Sequence, residues 1–373
     1  MIGMSLGLMV TLEWIVLPPL PPAAGASIQP GLAGPVAGAQ GKYVLLGGGA
    51  NFENGLPWKG GTKVYRTDMF LLERLPEGEF VWTRPAEKLP FPLAYSACLS
   101  LPNGIVSLGG ENDRGPVDDA VLFGIENGKI KRHALPSLPR PVTSAAAASI
   151  DAKIYLAGGA DAAGETDGFL SLDLDRPEKG WMALAPLPEK GSHGVLVSQS
   201  DGRESCLYHF GGRRRTADVT DFSASVWKFA PSTGTWNREG NIFNEGKPTA
   251  LAAGTGLAAG DRFILLFGGD PGILFNRTER LNQAISAASG AAEKRRLLEE
   301  KDRLLSGHPG FSRNILAYDT RTKTWLKTGE LPGESAVTTV AFLWNGIGVI
   351  PSGEIRPGVR TPAVFAFKVR IER

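Results

Sequence analysis

Two ionisable residues near the C-terminal end of this 373-residue chain stand where chemistry can be done. They are Glu354 and, six positions on, Arg360, within Gly353-Glu354-Ile355-Arg356-Pro357-Gly358-Val359-Arg360-Thr361. A carboxylate at the end of a strand can accept a proton, and a guanidinium can grip an anionic ligand in a bidentate fork. Their setting singles them out. Five earlier segments carry a plain glycine doublet after an apolar run: Gly48-Gly49, Gly109-Gly110, Gly158-Gly159, Gly211-Gly212 and Gly268-Gly269. At the sixth such place a carboxylate reads as standing where a structural glycine is expected. The bland alternative is a surface ion pair that steadies a loop, worth under about 1 kcal/mol. Glu111, Arg213 and Asp270 directly follow doublets and are further candidates for the same mouth, Glu111 as a possible acid.

The elements that must position these residues form a repeat. Each unit opens with an apolar run ending in glycines, such as Tyr43-Val44-Leu45-Leu46, Ile105-Val106-Ser107-Leu108 or Phe263-Ile264-Leu265-Leu266-Phe267. A variable loop follows, then a second apolar strand such as Met69-Phe70-Leu71-Leu72. A third segment carries Trp82, Trp181, Trp236 or Trp325, and most units close on Leu-Pro: Leu89-Pro90, Leu138-Pro139, Leu187-Pro188, Leu331-Pro332. A period of roughly 50 to 60 residues suits a four-stranded kelch-type blade. Glycine meets the tight turn after the second strand because it takes φ > 0 without strain, and tryptophan supplies bulk between blades.

The sixth unit stops at Arg373 without a tryptophan segment or Leu-Pro turn, and the missing piece sits at the other end as Trp14-Ile15-Val16-Leu17-Pro18-Pro19-Leu20-Pro21. The expectation is an all-β, six-bladed β-propeller spanning 1–373 as one domain, closed by the N-terminal strand so that no sheet edge is left open. One stretch departs from the β pattern. Residues 280–306 have apolar residues near helical spacing and a charged face, which predicts a helical insertion in the fifth blade, either a solvated flap or a lid.

Composition narrows the function. The formal charge is +2 with acidic and basic residues interleaved, unlike the basic stripe of a nucleic-acid binder. No run is long enough to span a membrane. Cys98 and Cys206 fall in different repeats and read as buried small apolar residues. The four histidines show no metal-ligand spacing, so no metal and no cofactor is expected. Residues 1–10 are apolar but short and lack a basic start. They read as a leader remnant or as a cytoplasmic N-terminus, and oligomeric state is open.

The residues resemble the kelch-propeller sialic acid mutarotases (N-acetylneuraminate epimerases), in a cyclically permuted arrangement. The resemblance is carried by Gly47-Gly48-Gly49-Ala50-Asn51-Phe52 with Lys59-Gly60-Gly61, by Gly109-Gly110-Glu111 with Asp119-Ala120-Val121, by Phe275-Asn276-Arg277, and by Gly353-Glu354 through Arg360-Thr361 with Ala363-Val364-Phe365. The Gly-Glu-x-x-Pro-Gly-x-Arg-Thr stretch is the specific part, since glycine doublets occur in many propellers. The resemblance implies that Glu354 is the proton acceptor and Arg360 a second active-site residue. It also makes Asn51, Lys63, Arg277, Arg213 and Glu111 candidates for binding a small acidic sugar, and it favours a periplasmic protein. Two departures are visible: Pro362 stands where the family usually has an acidic residue, and a charged leader is absent.

What the resemblance implies is ring opening and reclosure of a sialic acid hemiketal. A base takes the anomeric proton, an acid protonates the ring oxygen, and Arg360 grips the substrate carboxylate. A kelch module that binds a glycan or protein without catalysis is the alternative. Sialidase chemistry wants repeated Ser-x-Asp-x-Gly-x-Thr-Trp turns, and Ser232-Thr233-Gly234-Thr235-Trp236 is a single degenerate echo. Copper oxidation of the galactose oxidase type lacks its tyrosine, histidine and cysteine constellation.

Overall fold

In the computed structural model, which describes residues 9–372, the main strands form six antiparallel sheets arranged as the blades of a propeller. Blade 1 runs outward through Ala33–Gln40, Tyr43–Glu53, Met69–Arg74 and Phe80–Thr83. Blades 2 to 5 repeat this order over 97–134, 146–183, 195–241 and 255–330. Innermost strands of adjacent blades pack on one another around the axis. They are rich in alanine, serine and glycine, as the narrow centre demands, whereas second strands such as Phe263–Phe267 are wholly apolar and buried.

Bulk increases outward, and the core lies between blades. Trp325 packs edge-on against Phe210 of the preceding blade, with ring centroids 5.9 Å apart. The indole N–H groups of Trp82, Trp181, Trp236 and Trp325 donate to the carbonyls of Pro18, Pro136, Ala185 and Asn241, each belonging to the preceding unit. The tryptophans therefore fill the wedge and satisfy their one polar atom there.

Blade 6 takes three strands from 342–372 and its outermost strand from Met9–Val16. That strand pairs antiparallel with Val364–Glu372, with Trp14 opposite Phe367 and Val16 opposite Phe365. The expected closure is thus observed. Of the stretch read as a leader remnant, residues 1–8 lie outside the described residues, while Met9 and Val10 already belong to the closing strand.

Between the second and third strands, blades 2, 3, 4 and 6 carry a short hairpin. In blade 4 it is Arg213–Arg215 with Thr220–Phe222, and in blade 6 Glu354–Arg356 with Val359–Arg360. In blade 1 the second strand runs on to pair with Thr62–Tyr65. Blade 5 has helices α1 (Ile273–Ala287) and α2 (Ala291–Ser306) at this place. The predicted insertion is therefore a helical hairpin that starts earlier than 280. It breaks where Ala288 and Gly290 adopt extended backbone, in an Ala-Ser-Gly stretch of falling helix propensity.

The glycine doublets take positive φ at both positions, 60° and 106° at Gly109 and Gly110. A Cβ on Gly109 would lie 2.2 Å from the Val142 carbonyl, so close approach as well as conformation requires glycine. The sixth repeat corrects the sequence reading. Ser352 and Gly353 take φ of 54° and 111° and are the doublet, so serine replaces the first glycine and Glu354 follows the pair. Buried Ser352 has a use for its hydroxyl, which accepts from Leu32 N and donates to Thr361 O.

A closed circle of backbone hydrogen bonds surrounds the axis. Gly34, Tyr95, Ser144, His193, Ala253 and Thr338 all have φ between 51° and 61°. Each donates its N–H to the carbonyl of the one before, at 2.6 to 2.9 Å, and Gly34 closes the circle on Thr338. Cys98 and Cys206 are buried and unbridged. No described helix is long and apolar enough to cross a membrane.

Candidate active site

The residue after each doublet is drawn toward the axis by pairing with the loop ahead of its own blade: Ala94 with Glu111, Thr143 with Ala160, Ser192 with Arg213, Ala252 with Asp270, and Val337 with Glu354. Four of these residues, Glu111, Arg213, Asp270 and Glu354, thus present their side chains to a common space, a cavity of about 530 Å³. Its floor is the hydrogen-bonded circle, with Tyr95, Ser144, His193 and Thr338 facing in. Lys63, Glu111, Arg213, Asp270 and Glu354 form the walls. Trp58, Phe275, Leu304, His308 and Phe311 line it toward the mouth, so blade 1 and the helical hairpin both contribute. The two are joined where Trp58 Nε1 donates to Asp302 Oδ1 of α2 at 2.9 Å.

Glu354 is mostly buried. Its Oε1 accepts from Gly358 N at 2.9 Å across the hairpin, and Arg360 Nη2 lies 3.3 Å from its Oε2. Burial raises its pKa above the ordinary carboxylate range. Arg360, the Gly358 N–H, Lys63 and Arg213 pull the other way without cancelling that effect. A base so placed holds its proton more tightly than an exposed glutamate and is better matched to neutral-pH proton transfer.

Arg360 is not at the cavity surface. Its side chain is 4% exposed and its guanidinium lies 4.7 Å from the Phe52 ring centroid. Nε and Nη1 are buried without a hydrogen-bond partner. Nothing in this arrangement offers a fork to a ligand, so the contact that Arg360 makes toward the site is with Glu354.

Glu111 accepts from Lys63 Nζ at 2.9 Å and from Tyr65 Oη at 2.6 Å. Burial alone would raise its pKa, but Lys63 and Tyr65 outweigh it and the group lies below its ordinary value. An ionised acceptor is a poor proton donor, which argues against Glu111 as the acid. Lys63 Nζ also sits over the rings of Tyr65 and Tyr95, 4.6 and 4.5 Å from their centroids.

Arg213 lies across one wall with its guanidinium 4.8 Å from the Phe275 ring centroid and Nη2 3.4 Å from His193 Nε2. Burial drives the His193 pKa well below the ordinary value, and the charges of Arg213 and Lys63 add to this. The ring is therefore neutral. With Nε2 facing Arg213, its proton belongs on Nδ1, which is 2.9 Å from Ser192 Oγ. Phe275 is fixed by its neighbour, since Asn276 exchanges two hydrogen bonds with the Thr220 backbone.

Two candidates are not brought to the cavity. Asn51 is buried, donating to Gly31 O and accepting from Arg66 Nε and Nη2, so it ties the blade 1 loop together. Arg277 is exposed and pairs with Glu300 at 3.4 Å. It follows Phe275 by two positions on α1, a turn of about 200° around the helix, so when Phe275 faces the cavity Arg277 faces out. The floor residues Tyr95 and His193 were missed because the repeats around them contain no shared residue type, only a shared backbone conformation. Among the described residues, no three His, Cys, Asp or Glu side chains converge as a metal site would require.

The sequence profile of the N-acetylneuraminate epimerase family matches residues 135–372. The chain belongs to the N-acetylneuraminate epimerase family. Among curated relatives, N-acetylneuraminate epimerase of Salmonella typhimurium is 25% identical over 233 residues, 62% of this chain and 57% of the relative. That of Brucella melitensis is 26% identical over 246 residues, 63% and 59% of the two chains. The chain thus aligns with less than two thirds of the length of these epimerases. The solved structure of YjhT superposes with a TM-score of 0.64 at 15% identity, covering 96% of this chain and all of that one, and so shares the fold. Within this epimerase-family chain, Glu354, Arg360, Arg213 and His193 fall inside the profile match, whereas Lys63, Tyr95 and Glu111 fall outside it.

Proposed function

We propose that the protein interconverts the α and β anomers of a sialic acid, with Glu354 as the proton acceptor. The observation that carries this reading is the burial of the Glu354 carboxylate in the wall of an axial cavity, held by Arg360 and the Gly358 N–H. Family membership supplies the substrate class, and the raised pKa of Glu354 suits the work. Glu354 takes the proton of the anomeric hydroxyl, the bond from the anomeric carbon to the ring oxygen breaks, and an open-chain ketone results. Rotation presents the other face of that ketone, the ring oxygen adds back, and the proton returns. The departing ring oxygen takes a proton from a donor in the same cavity, where Tyr95 and Lys63 are available and Glu111 is not. We also read the chain as a cyclic permutation of its relatives, since the profile match begins at 135 while the fold likeness covers 96% of the chain.

Proton NMR of freshly released α-anomer tests the reaction. Decay to the β form accelerates with the wild-type protein and slows by about 10²- to 10⁴-fold with Glu354→Gln, the usual range for loss of a positioned base. Binding without acceleration by the wild type would instead establish a non-catalytic sugar-binding propeller.

A further inference from the structure

We propose that Arg213 anchors the carboxylate of the substrate and that Arg360 is a positioning residue for Glu354, a division of labour between two arginines that rests on the reaction proposed above. Both guanidinium groups lie near Glu354, but they differ in what they leave free.

Arg213 faces the cavity and makes no ion pair among the described residues; its side-chain contacts are His193 Nε2 at 3.4 Å and the face of Phe275. Stacking on an aromatic face leaves the donor edge of a guanidinium open, which is the edge that forks onto a carboxylate. Because His193 is neutral and turns its lone pair to Arg213, it orients the guanidinium without neutralising it. Burial disfavours the charge of Arg213, and the carboxylates of Asp270, Glu165, Glu354 and Glu279 offset this only from a distance, without a direct pair; a ligand carboxylate in contact would supply that pair. The backbone of Arg213 is itself fixed by reciprocal hydrogen bonds with Ser192, both 2.9 Å. The donor edge is thus set in advance on a rigid strand pair, as preorganised recognition requires.

Arg360 offers the opposite. Phe52 covers its face, Nε and Nη1 are closed off from solvent, and Nη2 is directed at Glu354. Its charge is the largest of the influences lowering the Glu354 pKa, ahead of the Gly358 N–H, Lys63 and Arg213. Arg360 therefore tunes and orients the base. The geometry also places anchor and base on different blades, 4 and 6, so a sugar held by its carboxylate at Arg213 is presented to a base on the other wall.

The test compares N-acetylneuraminate with its methyl ester, which keeps the ring but lacks the charge. It also uses the 2,3-didehydro acid, which keeps the carboxylate but cannot mutarotate. Arg213→Gln is expected to raise KM for the acid by about 10- to 100-fold, as loss of a charged hydrogen bond does, with kcat changed less than threefold. It weakens calorimetric binding of the didehydro acid by the same factor and raises KM for the ester by much less than KM for the acid. Arg213→Lys, which keeps charge but loses the fork, falls between. Arg360→Met is expected to lower kcat and move the acid limb of the pH profile upward, with didehydro acid binding within about threefold of wild type. Unchanged binding of the didehydro acid by both Arg213 variants overturns the anchor, as does an Arg360→Met protein that loses binding as Arg213→Gln should. If wild type binds the didehydro acid through Arg213 yet accelerates no anomer exchange, the anchor stands and the reaction proposed for the site falls.

Discussion

Glu354 and Arg360 stand opposite each other in the register of a two-stranded hairpin, so that a spacing of six in the chain becomes a contact of 3.3 Å. Directly opposed side chains on one face of a strand pair are close enough to interact. Here that pairing fixes the orientation of the carboxylate, and the Gly358 N–H at the hairpin turn fixes its other oxygen. Glu354 is consequently held from within its own hairpin, and its free influence is directed to the cavity.

The first consequence concerns pH. The base proposed here, Glu354, can work only when ionised, and its pKa is raised by burial. Activity is therefore expected to fall on the acid side at a pH above the ordinary glutamate range. The negative charge of a carboxylate bound on Arg213 offsets the arginine's lowering of this pKa. The acid limb of kcat should accordingly lie at higher pH than that of kcat/KM, because the former reports the complex and the latter the free enzyme. Initial-rate profiles of anomer exchange decide this, and coincident limbs would argue that the substrate charge sits elsewhere.

A second prediction concerns Lys63 and Glu111, half-buried partners 2.9 Å apart with Tyr65 on the same carboxylate oxygen. Lys63→Met should raise the Glu111 pKa, since the coulombic and hydrogen-bonding influences of Lys63 vanish while burial remains. The sign for stability follows from Glu111 being lowered in the folded state. Its contribution is present above the unfolded carboxylate pKa and is lost as pH falls through the lower folded value. A double-mutant cycle with Lys63→Met and Glu111→Gln should give a coupling of about 0.5 to 3 kcal/mol at neutral pH, shrinking in acid. Additive single variants would show that the pair contributes nothing to folding.

A third prediction concerns the clasp between Trp58 and α2. The indole N–H is held by Asp302, which Lys59 also approaches at 3.3 Å. Trp58→Phe keeps the apolar wall and removes that hydrogen bond. Hydrogen exchange in 291–306 should rise while the blades keep their protection, because the helical hairpin opens as a local unit. Unchanged exchange there would mean that α1 and its Asn276 tie to blade 4 suffice to hold the insertion.

How far the sequence led follows from what each residue depends on. The blades were legible because apolar runs, turn glycines and tryptophans each reflect a local requirement repeated along the chain. Closure was legible as a missing segment at one end and a surplus one at the other. Glu354 was visible as a departure within that repeat, although the residue that replaces a doublet glycine is Ser352, two positions earlier. The different settings of Arg360 and Arg213 were not legible. Which guanidinium faces the cavity depends on Phe52, brought from blade 1, and on Phe275, brought from the helical hairpin. Likewise Arg277 and Phe275 share a motif in the chain but part company on the helix.

The floor of the cavity yields the last prediction. Every position of the hydrogen-bonded circle needs a left-handed backbone, which costs an L-residue about 1 to 2 kcal/mol and is harder still for a β-branched one. Gly34 meets that need without strain, and it must stay glycine, because a Cβ there would lie 2.5 Å from Tyr95 N. Thr338 has φ of 51° and no such crowding is implied by its own Cβ, which the structure accommodates beside the cavity. Thr338→Gly should therefore raise unfolding free energy by about 0.5 to 1 kcal/mol, the strain relieved less the added freedom of the unfolded chain. Gly34→Ala should lower it by more than that. Denaturant midpoints measure both. If Thr338→Gly proves less stable than wild type, the hydrogen bond from its Oγ1 to the Val337 carbonyl at 2.7 Å outweighs the strain. The side chains at Tyr95, His193 and Thr338 would then be retained for stability, rather than placed at a strained position because the floor of the site requires them.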